Sequence, residues 1–525
     1  MRDLPMSCHR NITVMIKRIP VPVPWSALSI CVILLISWKV LVPWLEGSVV
    51  LGSAAAVLEA ALGNDNDTSV LSEGLPSPNN GTEMETRKEE EKKKEKVWPR
   101  IDPKTGKRIC DIEPWNNVTQ LNVTFYEQHL EWARKSIGSQ PNLKEAKLRL
   151  VSAFVYDDHI AVTTTTQNRF GTQVFCRYFD CNRDELPLSV FPSFMFPLSA
   201  AYCARRAGAV FVGLTDTLNE TIDGRDAVPI VFRAYRKPVH EISVCFGPIY
   251  GEERRWLEIA EVVEHHVLIG ATYFYMTLLN DVDAYTNKLL QDYKRVGLAD
   301  ITLIQTEYRI MDWMFHMLQI NECYFRAKAH SKWVLNIDID ERFVTGPTPL
   351  PTFLRSMNDD VGEIMFQIRR VQRTDPLPER YENRKKLLAD LEFLKYNKTS
   401  AYSWETPKVI FRPEKVQALF YHWSWIQYPG VMVANAPRSI GYVRHYRTTG
   451  HSLRSDWADR FGNFTETRLE PKFEKRLVKA VVRRIEGVYA QRDSWCDEVP
   501  QPTLDLFNND NYSCVFRNGT RRADL

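Results

Sequence analysis

The sequence predicts an α/β protein: a Rossmann-type domain with a mostly parallel sheet, preceded by a small β-rich accessory region, a stem and a transmembrane helix. Three observations predict it. Between His240 and Asp340, apolar β-branched runs alternate with helical patterns roughly every 30 residues, the rhythm of βαβ units. From Cys110 to Lys237 the chain instead shows short β-like runs broken by Asp, Asn, Gly and Pro. Near the start, an uncharged run from Ile19 to Trp38 reaches the length of about 20 residues that spans a bilayer as a helix.

A chain of 525 residues exceeds one compact core, so several domains and non-globular parts are expected. Its 44% hydrophobic and 25% charged content is that of a globular protein, and a net charge of +3 gives no reason to expect nucleic-acid binding. Residues 1–18 read as a cytoplasmic tail, because Arg10, Lys17 and Arg18 precede the apolar run. Residues 19–45 read as a signal anchor with Trp25, Trp38 and Trp44 at its interfaces, although "GSAAAVLEAALG" leaves room for cleavage. Residues 46–108 read as a stem, polar and charged, whose run from Arg87 to Lys96 is a solvated spacer.

Two features place the rest of the chain in a lumenal, oxidising compartment. Sequons follow the anchor at Asn66, Asn80, Asn117, Asn122, Asn219, Asn397, Asn463, Asn511 and Asn518. Cysteines follow it at 110, 176, 181, 203, 245, 323, 496 and 514, an even number without zinc spacing, so disulfides are expected with no pairing assigned.

Residues 109–238 form the β-rich accessory region, through "LRLVSAFVYDDHIAVTTTT", "TQVFCRYFD" and "AGAVFVGLT". Within 239–500, "HEISVCFGPIY" reads as a buried strand ending at Gly247-Pro248. The next stretch sets Trp256, Ile259, Ala260, Val263 and Val267 at helical spacing. "TYFYMTLLND", "ADITLIQ" and "SKWVLNIDID" are three further strands, with helices through "NKLLQDYKRVG" and "MDWMFHMLQINECYFRAKA" between them. Residues 501–525 are a C-terminal tail. Ligands bind at the carboxyl ends of such strands, and Tyr250, Asp281, Asp338 and Asp340 all fall there.

The segment "WVLNIDIDERF" carries the chemistry. In an extended chain, Asp338 and Asp340 point to one side while Ile337 and Ile339 return to the core. Carboxylates suit a hard cation, and two of them leave room for substrate phosphates. The sequence contains no Gly-rich phosphate loop, which argues against a P-loop enzyme.

The stretches "VCFGPIYGEERRWLEIAEVVEHHVLIGA", "INECYFRAKAHSKWVLNIDIDERF", "TPKVIFRPEKV" and "VRHYR" resemble glycosyltransferase family 92, whose fold is of the GT-A type. The nearest comparison is with nematode enzymes that add galactose to the core fucose of N-glycans. The resemblance implies a Golgi type II membrane enzyme that uses a UDP-sugar, UDP-galactose first, with Mn2+ (or Mg2+) and inversion, on a fucosylated N-glycan acceptor. Asp338, Asp340 and His445 are then the metal ligands, with His422 second to His445. The general base is sought among Glu405, Asp375 and Glu341, the last more as a support for the metal. Donor contacts are expected from Pro248, Tyr250, Asp281, Gln319, Glu322, Arg444 and Arg447. The aromatic "YHWSWIQYPG" is a candidate sugar platform or core. Two other classes compete: a non-catalytic carbohydrate-binding protein on the same fold, and a glycoside hydrolase, against which neighbouring aspartates argue.

Overall fold

The computed structural model describes residues 100–490 except 113, 118–147, 166–168, 170, 197–198, 252, 280–281, 305–312 and 449–459. All described residues belong to one unit, Trp98–Leu525. The anchor, nearly all of the stem, the C-terminal tail, Asp281 and the sequons at Asn66, Asn80, Asn122, Asn511 and Asn518 lie outside them. Among the described residues no helix is long and apolar enough to cross a membrane.

The first sheet has seven strands: β1 (Leu150–Val155), β2 (Ile160–Thr164), β3 (Gln173–Phe179), β4 (Phe191–Phe194), β5 (Ala200–Cys203), β6 (Phe211–Thr215) and β7 (Val228–Phe232). Their order is β4-β3-β6-β7-β1-β2-β5. Residues alternate between its two faces, and both faces are covered. Ala153 and Val155 fill the sheet's own core, while Phe154 and Tyr156 pack with Tyr324 and Phe325 of the domain that follows. That double burial explains the nearly unbroken apolar run at 153–156. Disulfides Cys110–Cys181 and Cys176–Cys203 tie this region internally.

The second domain opens as the βαβ rhythm requires: β8 (His240–Phe246), α1 (Trp256–Leu268), β9 (Tyr273–Leu279), α2 (Ala284–Arg295), β10 (Ala299–Ile304), α3 (Trp313–Ala327) and β11 (Ser331–Ile337). The four strands run parallel in the order β10-β9-β8-β11. After them come β12 (Glu341–Thr345), α4 (Leu350–Arg355), β13 (Val361–Arg373), α5 (Arg384–Asp390), α6 (Glu392–Lys395), β14 (Lys398–Thr399) and β15 (Ser403–Phe411). The chain closes with β16 (Val416–Leu419), β17 (Ser424–Gln427), β18 (Met432–Asn435), β19 (Gly441–Thr448), β20 (Thr465–Glu466) and α7 (Pro471–Tyr489).

Here the expectation of a mostly parallel sheet is corrected. The eleven-stranded sheet is mixed, because β15 pairs antiparallel with both β11 and β13, and β12 pairs antiparallel with β19. The run of single-helix crossovers between parallel neighbours ends at β11; beyond it β13 runs antiparallel to β15 but parallel to β18 and β19.

Helix α1 buries more than the five apolar residues at helical spacing. Glu258, Glu261, Glu264, His265 and His266 are buried together with its apolar residues. Arginines from distant elements make this possible: Arg373 reaches Glu258 (2.7 Å) and Glu392 (2.6 Å), and Arg484 reaches Glu264 (3.0 Å). Buried carboxylates require such partners. A third disulfide, Cys245–Cys323, joins β8 to α3 beneath the carboxyl ends of the strands.

Candidate active site

Strands β8 and β11 are adjacent, with Phe246 opposite Ile337. Chain order reverses between them, since β9 and β10 extend the sheet on one side and β11 on the other. Such a reversal opens a crevice at the carboxyl ends of the strands. Gly247 and Asp338 are the first residues beyond those ends. A Cβ on Gly247 would collide with Asp338 Oδ1 and stand 3.3 Å from His316 Nε2, so any larger residue requires the carboxylate to move. Gly247→Ala is therefore expected to displace Asp338 and lower activity about a hundredfold, with circular dichroism unchanged. Steady-state kinetics check it, and wild-type rates would remove the packing constraint.

The acidic turn is closed by its own third acid. Glu341 N–H donates to Asp338 O (3.0 Å), and Asp338 N–H donates to Glu341 Oε2 (2.8 Å). Ile337 and Ile339 are buried in the core as expected, but the strand ends at Ile337 and residues 338–340 turn, so alternation along an extended chain does not place the two aspartates. Asp338 Oδ2 accepts from Lys408 Nζ (2.9 Å), and its Oδ1 lies 3.5 Å from His316 Nε2. Lys408 Nζ also meets Glu341 Oε2 at 3.0 Å. His445 Nε2 lies 3.3 Å from Asp340 Oδ2, and its Nδ1 lies 3.7 Å from Glu341 Oε1.

Burial and charge compete at each group. Burial pushes the Asp338 carboxyl up, but Lys408 and His316 outweigh it and hold it well below the carboxylate range. Asp340 is likewise held low against burial by His445. Glu341 goes the other way: burial raises it despite Lys408, with Asp338 adding to the rise. Burial opposes the charge of His445, yet Asp340 and Glu341 raise its pKa above the ordinary imidazole value. Lys408 is raised too, because Asp338 and Glu341 overcome its burial.

Register defines the face on which these groups meet. Glu341 on β12 is opposite His445 on β19, and His445 is opposite Arg370 on β13, so the three side chains share one face of the sheet. The adjacent row, Arg342, Arg444 and Arg369, points to the other face. Beside the first row, β15 bulges. Its register passes from Phe366↔Lys408 to Ile368↔Ser403, which leaves Trp404–Pro407 projecting opposite Gln367. Thr406 holds φ 60° in that bulge, an uncommon conformation for a β-branched residue. Burial pulls the Arg370 guanidinium down to about 10, with Glu405 and Glu341 acting against the fall.

The other expected residues divide by position. Pro248 and the 40% exposed Tyr250 follow β8 at the crevice, and exposed Arg447 shares the strand face of His445. Glu405 stands in the bulge and pairs with Arg460. Asp375 pairs with Lys395 and lines a cavity of about 350 Å3 together with Arg373, Glu392 and Tyr396. Three donor-contact expectations are turned inward instead. Gln319 is buried and donates to Phe246 O (2.7 Å), fastening α3 to β8. Glu322 is buried against Arg326 (2.6 Å) and Ser152 (3.2 Å), where the two sheets meet. Arg444 is fully buried on the far face and donates to Thr467 O (3.2 Å). Each faced the core by helix or strand phase, which strand-end position alone does not reveal.

Sequence reasoning missed Lys408, His316, Gly247 and Arg370. Lys408 had a usable signal: a cation heading the apolar run Val409–Phe411 needs a buried anion. His422, the second metal candidate, lies within electrostatic reach of Asp338 and Lys408, where burial lowers its pKa to about 3. Of the sequons described, Asn117, Asn219 and Asn463 are exposed, and Asn397 is half-buried and donates to Glu466 (3.0 Å).

Among the described residues no group of three or more His, Cys, Asp and Glu side chains forms a ready metal cage. The donor set nonetheless fits a loosely held hard cation. Asp340 and His445 converge to 3.3 Å, the spacing of adjacent ligands, and Asp338 stands beyond them, neutralised by Lys408. Mg2+ and Mn2+ sites of this kind take one or two carboxylates and complete the shell with water and substrate phosphates.

An α/β domain with a carboxylate cluster at a switch point between parallel strands places a candidate ligand site at the carboxyl ends of those strands. Residues 240–484 match the model of glycosyltransferase family 92. No curated protein matches the chain. Solved structures that it resembles include HddC from Yersinia pseudotuberculosis, at 8% identity over 46% of this chain and 98% of that one, TM-score 0.22. Another is mannosyltransferase PcManGT from Pyrobaculum calidifontis in complex with GDP-Man and Mn2+, at 12% identity over 47% and 70%, TM-score 0.22. A third is glucosyl-3-phosphoglycerate synthase from Mycobacterium tuberculosis with Mg2+ and UDP, at 12% identity over 49% and 81%, TM-score 0.20. Likenesses at these TM-scores carry no argument about this chain.

Proposed function

We propose that the protein is a type II Golgi membrane glycosyltransferase of GT-A fold. It moves a hexose, galactose from UDP-galactose, with inversion onto a glycan hydroxyl, the core fucose of N-glycans. The observation that carries the reading is the convergence of Asp338, Asp340, Glu341, Lys408 and His445 at the β8–β11 crevice, inside the segment that matches the family. The nine sequons that follow the anchor, the paired cysteines and the apolar run at 19–38 support the lumenal, anchored setting.

In this reading Pro248 and Tyr250 border the nucleoside, and Arg447 lies at the rim on the phosphate side. Asp340 and His445, with Asp338 behind them, would hold Mn2+ or Mg2+, which when bound neutralises charge on the donor diphosphate. The acceptor oxygen forms a bond to the anomeric carbon from the face opposite the diphosphate. The bond from that carbon to the phosphate oxygen breaks, and its electron pair leaves with the nucleoside diphosphate. Glu405, projecting from the β15 bulge and oriented by Arg460, receives the acceptor proton. Glu341 is fully buried and bonded to Lys408 and Asp338, so it shapes the turn and does not meet an acceptor. The cavity beside Arg373 and Asp375 offers space for the acceptor glycan.

The test incubates the full-length chain with UDP-galactose, UDP-glucose, UDP-N-acetylglucosamine and GDP-mannose, with Mn2+ and a fucosylated N-glycan. Mass spectrometry is expected to show one added hexose from UDP-galactose, and NMR an inverted linkage. Glycan binding without transfer from any donor would assign a non-catalytic carbohydrate-binding role.

A further inference from the structure

Glu341, His445 and Arg370 form one row across three strands, and each carries a buried polar atom without a hydrogen-bond partner among the described residues: Glu341 Oε1, His445 Nδ1 and Arg370 Nη1. Buried polar atoms are normally satisfied, so three orphans side by side mark a place where something else bonds. Arg370 is 6% exposed, and its guanidinium is fixed from two sides. Its Nη2 donates to Thr406 Oγ1 (3.2 Å), the residue held at φ 60° in the β15 bulge, and its plane lies over the Phe461 ring at 3.6 Å. Backbone strain of this kind persists where the surroundings impose it, and it gathers at ligand clamps. The Arg370 side chain is not ion-paired to a described carboxylate, whereas the neighbouring carboxylates are engaged elsewhere: Asp338 and Glu341 by Lys408, Asp340 by His445 and Glu405 by Arg460. Arg447 and Arg460 add positive charge around it.

We infer that Arg370 is the anion-binding residue of the crevice, donating Nη1–H to the sugar-bearing phosphate of a nucleoside diphosphate sugar and retaining that phosphate when the sugar leaves. The inference rests on the nucleotide-sugar reading above. A guanidinium suits the task because its planar donors match phosphate oxygens and it stays charged when buried. Lys408 does not fill the role, since both carboxylates beside it already hold its ammonium. The inward-facing Arg444 and Arg369 bond to protein on the other side of the sheet.

Calorimetric titration of the full-length chain with UDP, GDP, uridine, guanosine and inorganic pyrophosphate, in the presence of Mn2+, tests it. Arg370→Gln is expected to weaken binding of the preferred nucleoside diphosphate by about ten- to a hundredfold, leaving its nucleoside unchanged. Arg370→Lys, which keeps the charge and the fold but not the planar fork, is expected to recover part of the loss. Wild-type diphosphate affinity in a folded Arg370→Gln chain overturns the inference. Equal weakening of nucleoside and diphosphate also overturns it, because that marks a purely structural role. If the wild type binds neither UDP nor GDP, the nucleotide-sugar reading falls, and pyrophosphate decides separately on Arg370. Pyrophosphate binding that is lost in Arg370→Gln sustains the anion site, and its absence in the wild type ends it.

Discussion

Replacing Lys408 by methionine is expected to destabilise the fold by about 3–5 kcal/mol. Lys408 is buried at 4% side-chain exposure, with Asp338 at 2.9 Å and the fully buried Glu341 at 3.0 Å. Methionine fills similar volume, so the loss is electrostatic: two carboxylates remain without their cation, and one has no water. Urea denaturation of the full-length chain measures the effect as a lowered midpoint. Adding Glu341→Gln removes the stranded charge and is expected to restore part of the loss, although the Asp338 N–H bond to the Glu341 side chain is then made to an amide oxygen. An unchanged midpoint in the single variant would show that the two acids do not depend on Lys408.

Asp340→Asn is expected to lower kcat about 10²–10³-fold while leaving the melting temperature close to wild type. The amide keeps the shape of the carboxylate, and Asp340 is one-quarter exposed at the crevice, so its loss strands no buried partner. What disappears is the negative charge that faces His445 and any cation between them. His445 also loses the larger of the two charges that raise its pKa, so the imidazole becomes neutral at lower pH than in the wild type. NMR titration of His445 reads that shift independently of turnover. Full activity in Asp340→Asn would remove the aspartate from the chemistry.

Gly247 and Lys408 show why the site was only partly legible. Both stood inside stretches whose character was read correctly, a strand end and an apolar strand; the apolar run beyond Lys408 signalled a buried anion, but nothing local identified which residue either one meets. Their partner is the same residue, Asp338, which is 91 and 70 positions away in the chain. Gln319, Glu322 and Arg444 show the converse. Each lay at a plausible distance from a strand end, but the phase of its helix or strand turned it into the core, toward partners on β8, β1 and the segment after β20.

The sequence by itself determined the four-strand parallel opening of the second domain, the ordinary globular composition, and the inward isoleucines beside the Asp-x-Asp pair, whose turn it did not show. Those properties follow from periodicities of two and 3.6 residues, which neighbours along the chain fix locally. Only the tertiary structure decided that the sheet becomes mixed after Asp340, which cysteines pair, and which cation neutralises which acid. It also set Glu341, His445 and Arg370 in one row. Cross-strand register creates those relations, and register depends on residues brought together from more than 70 positions apart.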